Sequence, residues 1–292
     1  MTLRQMLEQG RLELFLAEVP EPEENAWYLL QSCFSDKDFS YRRNDYFLHQ
    51  EDEADESVQR RFFAAVKKRS QRIPLEYILG YTEFMGLVFE VDENVLIPRQ
   101  DTELLVETVV PFCAGKRVLD LCTGSGCIGL SIAVAGMPDE VVLSDISEKA
   151  LETAERNLLR LQRRHGKLLH TKQGISIICG DLWDPVQGTF DVIVSNPPYI
   201  ETGEIPKLMP EVKDFEPTSA LDGGAEGMDF YEKILKRASG YLNQGGMLCL
   251  EIGYNQGESV RGLMEKQGFS DVRVSKDLAG HDRVVAGKYI DQ

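Results

Sequence analysis

The sequence predicts an α/β protein: a seven-stranded, mostly parallel sheet with crossover helices, preceded by a small helical bundle and a β-hairpin linker. Three observations predict it. From about residue 99 onward, short apolar runs alternate with longer helical patterns, as in strand–helix–strand units. Before residue 75, strand signals are few and apolar residues recur at helical spacing. The last two strand-like runs are joined without room for a crossover helix, so they must pair antiparallel.

Met6, Leu7, Leu12, Leu14, Phe15 and Leu16 are the apolar positions of the first helical pattern. Pro20-Glu21-Pro22-Glu23-Glu24-Asn25 breaks the chain and can cap a second helix over Ala26 to Cys33. Tyr46 to Gln50 and Val58 to Lys68 suggest two more, and the acidic run Glu51 to Glu56 between them reads as a solvated loop or helix start. Residues 76 to 98 alternate in a strand-like way, as in Leu87-Val88-Phe89-Glu90-Val91, and suggest a hairpin. The division is therefore 1–75 (helical bundle), 76–98 (hairpin linker) and 99–292. In the last part the pattern predicts helices near 101–113, 127–136, 148–164, 227–243 and 257–267. It predicts strands near 117–122, 140–145, 175–180, 190–195, 246–252, 269–275 and 283–289. Glu201 to Gly227, with Pro206, Pro210 and Pro217, is long for a structureless connection, and loops of that length are often functional.

A hydrophobic content of 42% and a charged content of 27% over 292 residues describe an ordinary soluble globule of one large or two modest domains. No apolar stretch reaches membrane-spanning length, and the N-terminus lacks a basic region followed by an apolar core. The six cysteines show no C-x-x-C pairing and sit mostly in apolar strands, so they read as buried reduced thiols rather than disulfides or metal ligands. A cytoplasmic location and no metal are expected. The net charge of −16 argues against stable nucleic-acid binding, which draws on Lys and Arg against phosphates. Lys67-Lys68-Arg69 and Arg160 to Arg164 could form local basic patches, but read best as solvated helix faces.

The chemistry gathers at successive strand ends. Arg117-Val118-Leu119-Asp120-Leu121 runs into Cys122-Thr123-Gly124-Ser125-Gly126, then into an apolar helix. Glycines let such a turn tighten and approach a ligand closely. The spacing matches neither the pyrophosphate fingerprint nor a Walker loop, so a nucleoside without phosphates fits better. The next strand ends in Asp145, where dinucleotide-binding folds place an acid on the ribose hydroxyls. The third ends in Gly180-Asp181-Leu182, where Asp181 could take an adenine amino group.

The fourth, Phe190 to Ser195, runs into Asn196-Pro197-Pro198-Tyr199. This tetrapeptide suits the activation of a planar, conjugated NH2 group. The Asn196 side-chain oxygen and the Pro197 carbonyl can each accept one N–H, the prolines fix the backbone, and the Tyr199 ring can stack on the amide or base.

With these motifs the chain resembles the class I S-adenosylmethionine-dependent methyltransferases, and more narrowly the release-factor glutamine methyltransferases (the PrmC/HemK family). The narrower resemblance rests on four further segments: Arg72 to Gly80 with Phe84-Met85-Gly86, Ile97 to Glu103, Glu251 to Gly257 and Asp277 to Arg283. Cys122 stands where many relatives have Gly. The resemblance implies a Rossmann-like, doubly wound sheet whose last strand is reversed. It implies transfer of a methyl group from S-adenosyl-L-methionine, leaving S-adenosyl-L-homocysteine, to the Gln amide nitrogen in the Gly-Gly-Gln loop of peptide chain release factors. Cys122, Thr123, Gly124, Ser125, Gly126, Asp145, Asp181, Leu182 and Asn196 would hold the cofactor. Asn196, Pro197, Pro198 and Tyr199 would act on the substrate, with Arg99 and Glu103 shaping the pocket and the 201–227 loop helping to enclose the target. Nothing demands more than a monomer. An amino-methyltransferase acting on another protein or on nucleic-acid bases is the alternative that the tetrapeptide leaves open.

Overall fold

The structure is a computed structural model that describes residues 1–34, 41–165, 169 and 171–290. In chain order its helices are α1 (Leu3–Leu16), α2 (Pro22–Ser32), α3 (Arg43–His49), α4 (Glu56–Ser70), α5 (Leu75–Leu79), α6 (Glu103–Val109), α7 (Cys127–Ala135), α8 (Glu148–His165), α9 (Pro210–Lys213), α10 (Asp229–Ala238) and α11 (Gly257–Lys266). Its strands are β1 (Tyr81–Phe84), β2 (Leu87–Glu90), β3 (Arg117–Leu121), β4 (Glu140–Asp145), β5 (Gly174–Cys179), β6 (Phe190–Ser195), β7 (Leu242–Glu251), β8 (Phe269–Lys276) and β9 (Asp282–Tyr289). Contacts divide the chain into two units, one of residues 1–81 with 209–215, the other of 82–208 with 216–292.

The first unit is helical. Thr2 begins α1 with a capping box: its hydroxyl accepts the Gln5 N–H, and the Gln5 side chain accepts the Thr2 N–H. Helix α2 starts at Pro22, earlier than expected, because a proline at the first helical position loses no hydrogen bond there. Met6, Leu14, Leu29, Leu30, Phe62 and Val66 are fully buried in its core. Gly10 allows α1 and α4 to close up, since a β-carbon there would lie 2.5 Å from Phe62 Cζ. Lys67 and Lys68 are exposed, but Arg69 corrects the reading of that run as a solvated face. Arg69 is 5% exposed and its guanidinium donates to Asn25 Oδ1 (2.7 Å), to the Ile73 carbonyl (3.2 Å) and to Glu211 Oε1 (2.8 Å). Arg72 donates to both Glu211 oxygens at 2.7 Å. Glu211, from the segment 209–215, is thus held by two arginines of this unit.

Residues 75–79 form a short helix where alternation suggested a strand. The hairpin that follows turns on Met85 and Gly86, both at positive φ (52° and 70°), as a two-residue connection requires.

The large sheet has the order β5-β4-β3-β6-β7-β9-β8. All neighbours run parallel except β9, which is antiparallel to both β7 and β8. Alternate residues serve its two faces, as the period of a strand dictates. Val118, Val192 and Val194 pack under α6, α7 and α8 with Leu105, Leu130 and Leu158. Leu119, Leu121, Ile193 and Leu250 pack under α10 and α11 with Tyr231, Ile234, Val260 and Met264. Burial of each such side chain contributes about 1.5–3 kcal/mol. The chain leaves β3 toward β4 and β5, then returns to β6 on the other side. The order therefore reverses between β3 and β6, and the carboxyl ends there are where open α/β sheets bind ligands.

Among the described residues no helix is long and apolar enough to cross a membrane. Cys33, Cys113, Cys127 and Cys249 are buried as expected. Cys122 is half-buried, and Cys179 is exposed at the end of the edge strand β5, where only one neighbour covers it.

Candidate active site

A cleft of about 380 Å³ opens over the carboxyl ends of β3, β4, β5 and β6, within the second unit. Its floor is the turn after β3. Cys122, Gly124 and Gly126 all have positive φ (57°, 55° and 81°). This explains why glycine suits the first position of the turn: a side chain is strained there, and Cys122 tolerates the strain with a small one.

Two carboxylates hold the turn. Asp120 is wholly buried; its Oδ2 accepts the Thr123 hydroxyl (2.6 Å) and the Gly129 N–H (2.9 Å), while Oδ1 has no partner. Burial outweighs these bonds and pushes Asp120 up to about 7. Asp145 Oδ2 accepts the Gly124 N–H and Oδ1 the Ser147 N–H, both at 2.9 Å. Burial likewise raises Asp145 above the usual carboxylate range, against those N–H bonds. Each Asp145 oxygen keeps a further lone pair, and the residue lines the cleft.

Of the residues singled out from the sequence, Cys122, Thr123, Gly124 and Ser125 line the cleft, as do Asp145, Asp181 and Leu182. Arg99, Asn196 and Pro198 line it from the other side. Gly126 does not: it begins α7, where a β-carbon would lie 3.0 Å from Leu130 Cδ1 and 3.2 Å from Ala154 Cβ. Pro197 and Tyr199 are not among its lining residues. Glu103 also lies outside the lining; its Oε1 accepts the Met85 N–H at 2.5 Å and fastens the hairpin turn to the start of α6. Arg99 is ion-paired with Glu216, whose other oxygen accepts the Ile97 N–H at 3.2 Å. Glu216 thereby holds the stretch whose Pro217, Ser219, Ala220 and Asp222 form part of the cleft wall.

Asn196 directs its Nδ2 at Thr102 Oγ1, 3.4 Å away. Among the described residues, neither its Oδ1 nor the Pro197 carbonyl receives a hydrogen bond. Tyr199 is fixed at both ends. Its hydroxyl donates to Glu251 Oε1 (3.3 Å), and its carbonyl accepts from Gln256 Nε2 (3.0 Å). Gln256 also donates to the Gly227 carbonyl and accepts from Gly253 N–H and Tyr231 hydroxyl, so its amide is fully used. Arg283 spans Asp101 (3.2 Å) and Asp277 (3.0 Å). The three segments 97–103, 251–257 and 277–283, far apart in sequence, converge behind Asn196 and Tyr199.

Burial drives Glu251, 1% exposed, up to about 7, against the Thr102 hydrogen bond, the Arg283 charge and the Tyr199 hydroxyl. The same burial, with the Glu251 charge, raises the Tyr199 phenol far above its ordinary value. Thr102, Glu251 and Gln256 are site residues that the sequence reading did not assign. They lie inside the quoted motifs, which was the available signal. Glu216 gave none, because its partner is 117 residues away.

The family "Methyltransferase small domain" matches residues 99–211, and "PrmC N-terminal domain" matches residues 5–80. The chain is 42% identical over 243 residues to the release factor glutamine methyltransferase of Clostridium acetobutylicum, covering 81% of this chain and 82% of that one. It is 38% identical over 299 residues to that of Clostridium botulinum, covering 99% and 100%. Among solved structures, a methyltransferase from Pyrococcus furiosus shares the fold, with a TM-score of 0.52 at 21% identity over 70% of this chain and 90% of that one. Identity at this level over nearly the whole length, on a methyltransferase sheet, places the chain in the release factor glutamine methyltransferase family.

Proposed function

We propose that the protein transfers a methyl group from S-adenosyl-L-methionine to the side-chain amide nitrogen of the Gln in the Gly-Gly-Gln loop of peptide chain release factors, acting in the cytoplasm as a monomer. The observation that carries this reading is the pair of open acceptors, Asn196 Oδ1 and the Pro197 carbonyl, at the end of β6 beside an acid-bearing cleft. The names of the relatives supply the substrate class.

The residues present fit the cofactor. Asp145 lines the cleft and keeps a further lone pair on each oxygen that can take a ribose diol, Asp181 and Leu182 line the same cleft and can meet an adenine edge, and carboxylates on the wall suit a cation. When bound, S-adenosylmethionine supplies the electrophilic methyl carbon. The protein supplies alignment. Asn196 and the Pro197 carbonyl accept the two amide N–H bonds, which turns the nitrogen lone pair toward the cleft. Tyr199 packs on the amide plane. The methylated nitrogen is acidic and releases its proton to water. Residues 1–75 recognise the protein substrate, 76–98 connect, and 99–292 catalyse, with the 201–227 loop closing over the target.

The test is mass spectrometry of a purified release factor incubated with the protein and S-adenosylmethionine. One added methyl on the Gly-Gly-Gln glutamine is expected; none there, with the cofactor bound, sinks the reading. Asn196→Ala should lower the rate about 10²–10³-fold while cofactor affinity persists; a normal rate would reject the acceptor role. Removing residues 1–75 should raise KM for the release factor far more than for a short Gly-Gly-Gln peptide, and equal changes would refute recognition by that part.

A further inference from the structure

Besides its nucleoside, S-adenosylmethionine carries an amino-acid arm that ends in a carboxylate. That group enters an acidic cleft, since Asp145, Asp181 and Asp222 all line it. The turn after β3 has little to offer an anion. Thr123 N–H is spent on the Ser144 carbonyl (3.0 Å), Gly124 N–H on Asp145 (2.9 Å) and Gly126 N–H on the Thr123 carbonyl (2.9 Å). A carboxylate taken out of water here is best met by a cation. Among the described residues two cations line the cleft, Arg99 and Lys233.

Their surroundings differ. The Lys233 carbonyl accepts the Trp183 indole N–H (3.4 Å), so Lys233 belongs with Leu182 and Trp183, and its ammonium lies 5.1 Å from the Phe230 ring centre. Arg99 is linked to Asn196 instead. Its carbonyl accepts the Thr102 N–H (3.1 Å), and the Thr102 hydroxyl lies 3.4 Å from Asn196 Nδ2. A sulfonium has three substituents. With the nucleoside on Asp145 and Asp181 and the methyl offered at Asn196, the third is the amino-acid arm. The Arg99 guanidinium is also held and only partly used. Glu216 Oε1 accepts from its Nη2, while Glu216 Oε2 accepts the Ile97 N–H at 3.2 Å. Glu216 is 5% exposed, so the anchor is fixed by packing. Arg99 Nε and Nη1 have no hydrogen-bond partner among the described residues, and the side chain is 41% exposed. A guanidinium carries five N–H donors in a planar fork that matches a carboxylate. One guanidinium can serve two carboxylates, as Arg283 does with Asp101 and Asp277.

We propose that Arg99 binds the carboxylate of the cofactor's amino-acid arm, with Glu216 as the positioning residue that holds the guanidinium in place. This deepens the proposed activity and rests on its cofactor. The cleft then selects a nucleoside that carries the arm over one that lacks it.

The test is calorimetric titration of the full-length protein with two nucleosides, without release factor or turnover. One is S-adenosylhomocysteine. The other is 5′-methylthioadenosine, which keeps the nucleoside and the sulfur but has no amino-acid arm. Arg99→Met keeps a long side chain and removes its charge and donors. It should weaken S-adenosylhomocysteine about tenfold or more and leave methylthioadenosine within about twofold. Arg99→Lys keeps the charge without the fork and should fall between. Glu216→Gln should lose part of the same selectivity, and Lys233→Met should keep all of it. An unchanged S-adenosylhomocysteine affinity in Arg99→Met would overturn the proposal and leave Arg99 to the protein substrate. Equal losses for the two nucleosides would overturn it as well, because they put Arg99 on the nucleoside or in the fold. Full selectivity in Glu216→Gln would reject the positioning role. A wild type that binds neither nucleoside sinks the cofactor reading and this assignment with it. One that shows the expected pattern but does not methylate a release factor supports the assignment, and only the substrate reading fails.

Discussion

Two buried glutamates, one in each unit, meet opposite fates. Glu211, 8% exposed, is gripped by Arg69 and Arg72. Burial works to raise its carboxyl, but the Arg72 and Arg69 hydrogen bonds, a main-chain N–H and the Arg69 charge overturn that and hold it at about 2. Glu251, 1% exposed, meets hydroxyls and one cation already shared between Asp101 and Asp277, and burial wins. The first is compensated well enough to stay charged at any ordinary pH. The second is left short. The difference separates a carboxylate that fastens a chain segment from one that burial leaves short of partners.

The largest effect should come from breaking the compensated one. Glu211→Gln leaves Arg69 and Arg72 without their anion, and losing one partner of a buried pair costs about 3–5 kcal/mol. The two tryptophans make the loss separable, because Trp27 lies in the first unit's core and Trp183 in the second's. Guanidinium unfolding followed by Trp27 in a Trp183→Phe background should show the full shift. A change under about 1 kcal/mol would mean that the arginines find water instead, and that the pairing is ornamental.

The second effect is a pH dependence of opposite sign in the two regions. Glu211 is depressed, so its contribution is present above the unfolded value of 4.5 and is lost as pH falls toward about 2. Glu251 is raised, so the folded state binds the extra proton between pH 4.5 and about 7. Stability therefore falls as pH rises through that window, by roughly 3 kcal/mol at about 1.4 kcal/mol per unit. Asp120 adds a slope of the same sign between 3.8 and about 7. The groups around Glu251 are Thr102, Tyr199, Tyr231, Cys127, Asp101 and Arg283. Glu251→Gln should flatten the decline between pH 5 and 8 and be more stable than wild type at pH 8. An unchanged slope would show that Glu251 stays charged throughout.

How far each glutamate was legible in the sequence follows from the range of its partners. The strands β3, β4 and β6 were readable because each is a continuous apolar run, buried on both faces as a parallel strand is. Their ends then named the turn from Cys122 to Gly126, Asp145 and Asn196 without any tertiary knowledge. Strand β7 was read four residues short at its start, because the helical pattern before it was carried on to 243 although α10 ends at Ala238. The structure keeps Asn243-Gln244-Gly245-Gly246 in the strand as an irregularity, with Phe190 opposite Leu242 but Val192 opposite Met247. Helix α5, five residues long, was too short to show a period. Glu251 stood in a recognised motif, but its hydroxyl partner Tyr199 lies 52 residues earlier. Glu211 and Arg69 are 142 residues apart, and a basic run is solvated more often than buried, so that pairing had no local signal.

The smallest expected effect tests whether the cleft's backbone is left short in the same way as Glu251. Cys122 holds φ 57° with a side chain attached, a conformation that costs a non-glycine residue about 1–2 kcal/mol. Cys122→Gly removes that strain but adds about 0.5–1 kcal/mol of backbone entropy to the unfolded chain. The two nearly cancel, so stability should change by less than about 1 kcal/mol and S-adenosylhomocysteine affinity should hold, since Gly124 N–H and Asp145 remain joined. Cys122→Val is the sharper probe, because a β-branched residue is a true outlier at positive φ. It should destabilise the second unit by more than the glycine variant does and weaken the cofactor with it. Equal behaviour of the two variants would show that the turn relaxes out of the left-handed region at no cost, and that the strain in this site is confined to its buried carboxyls.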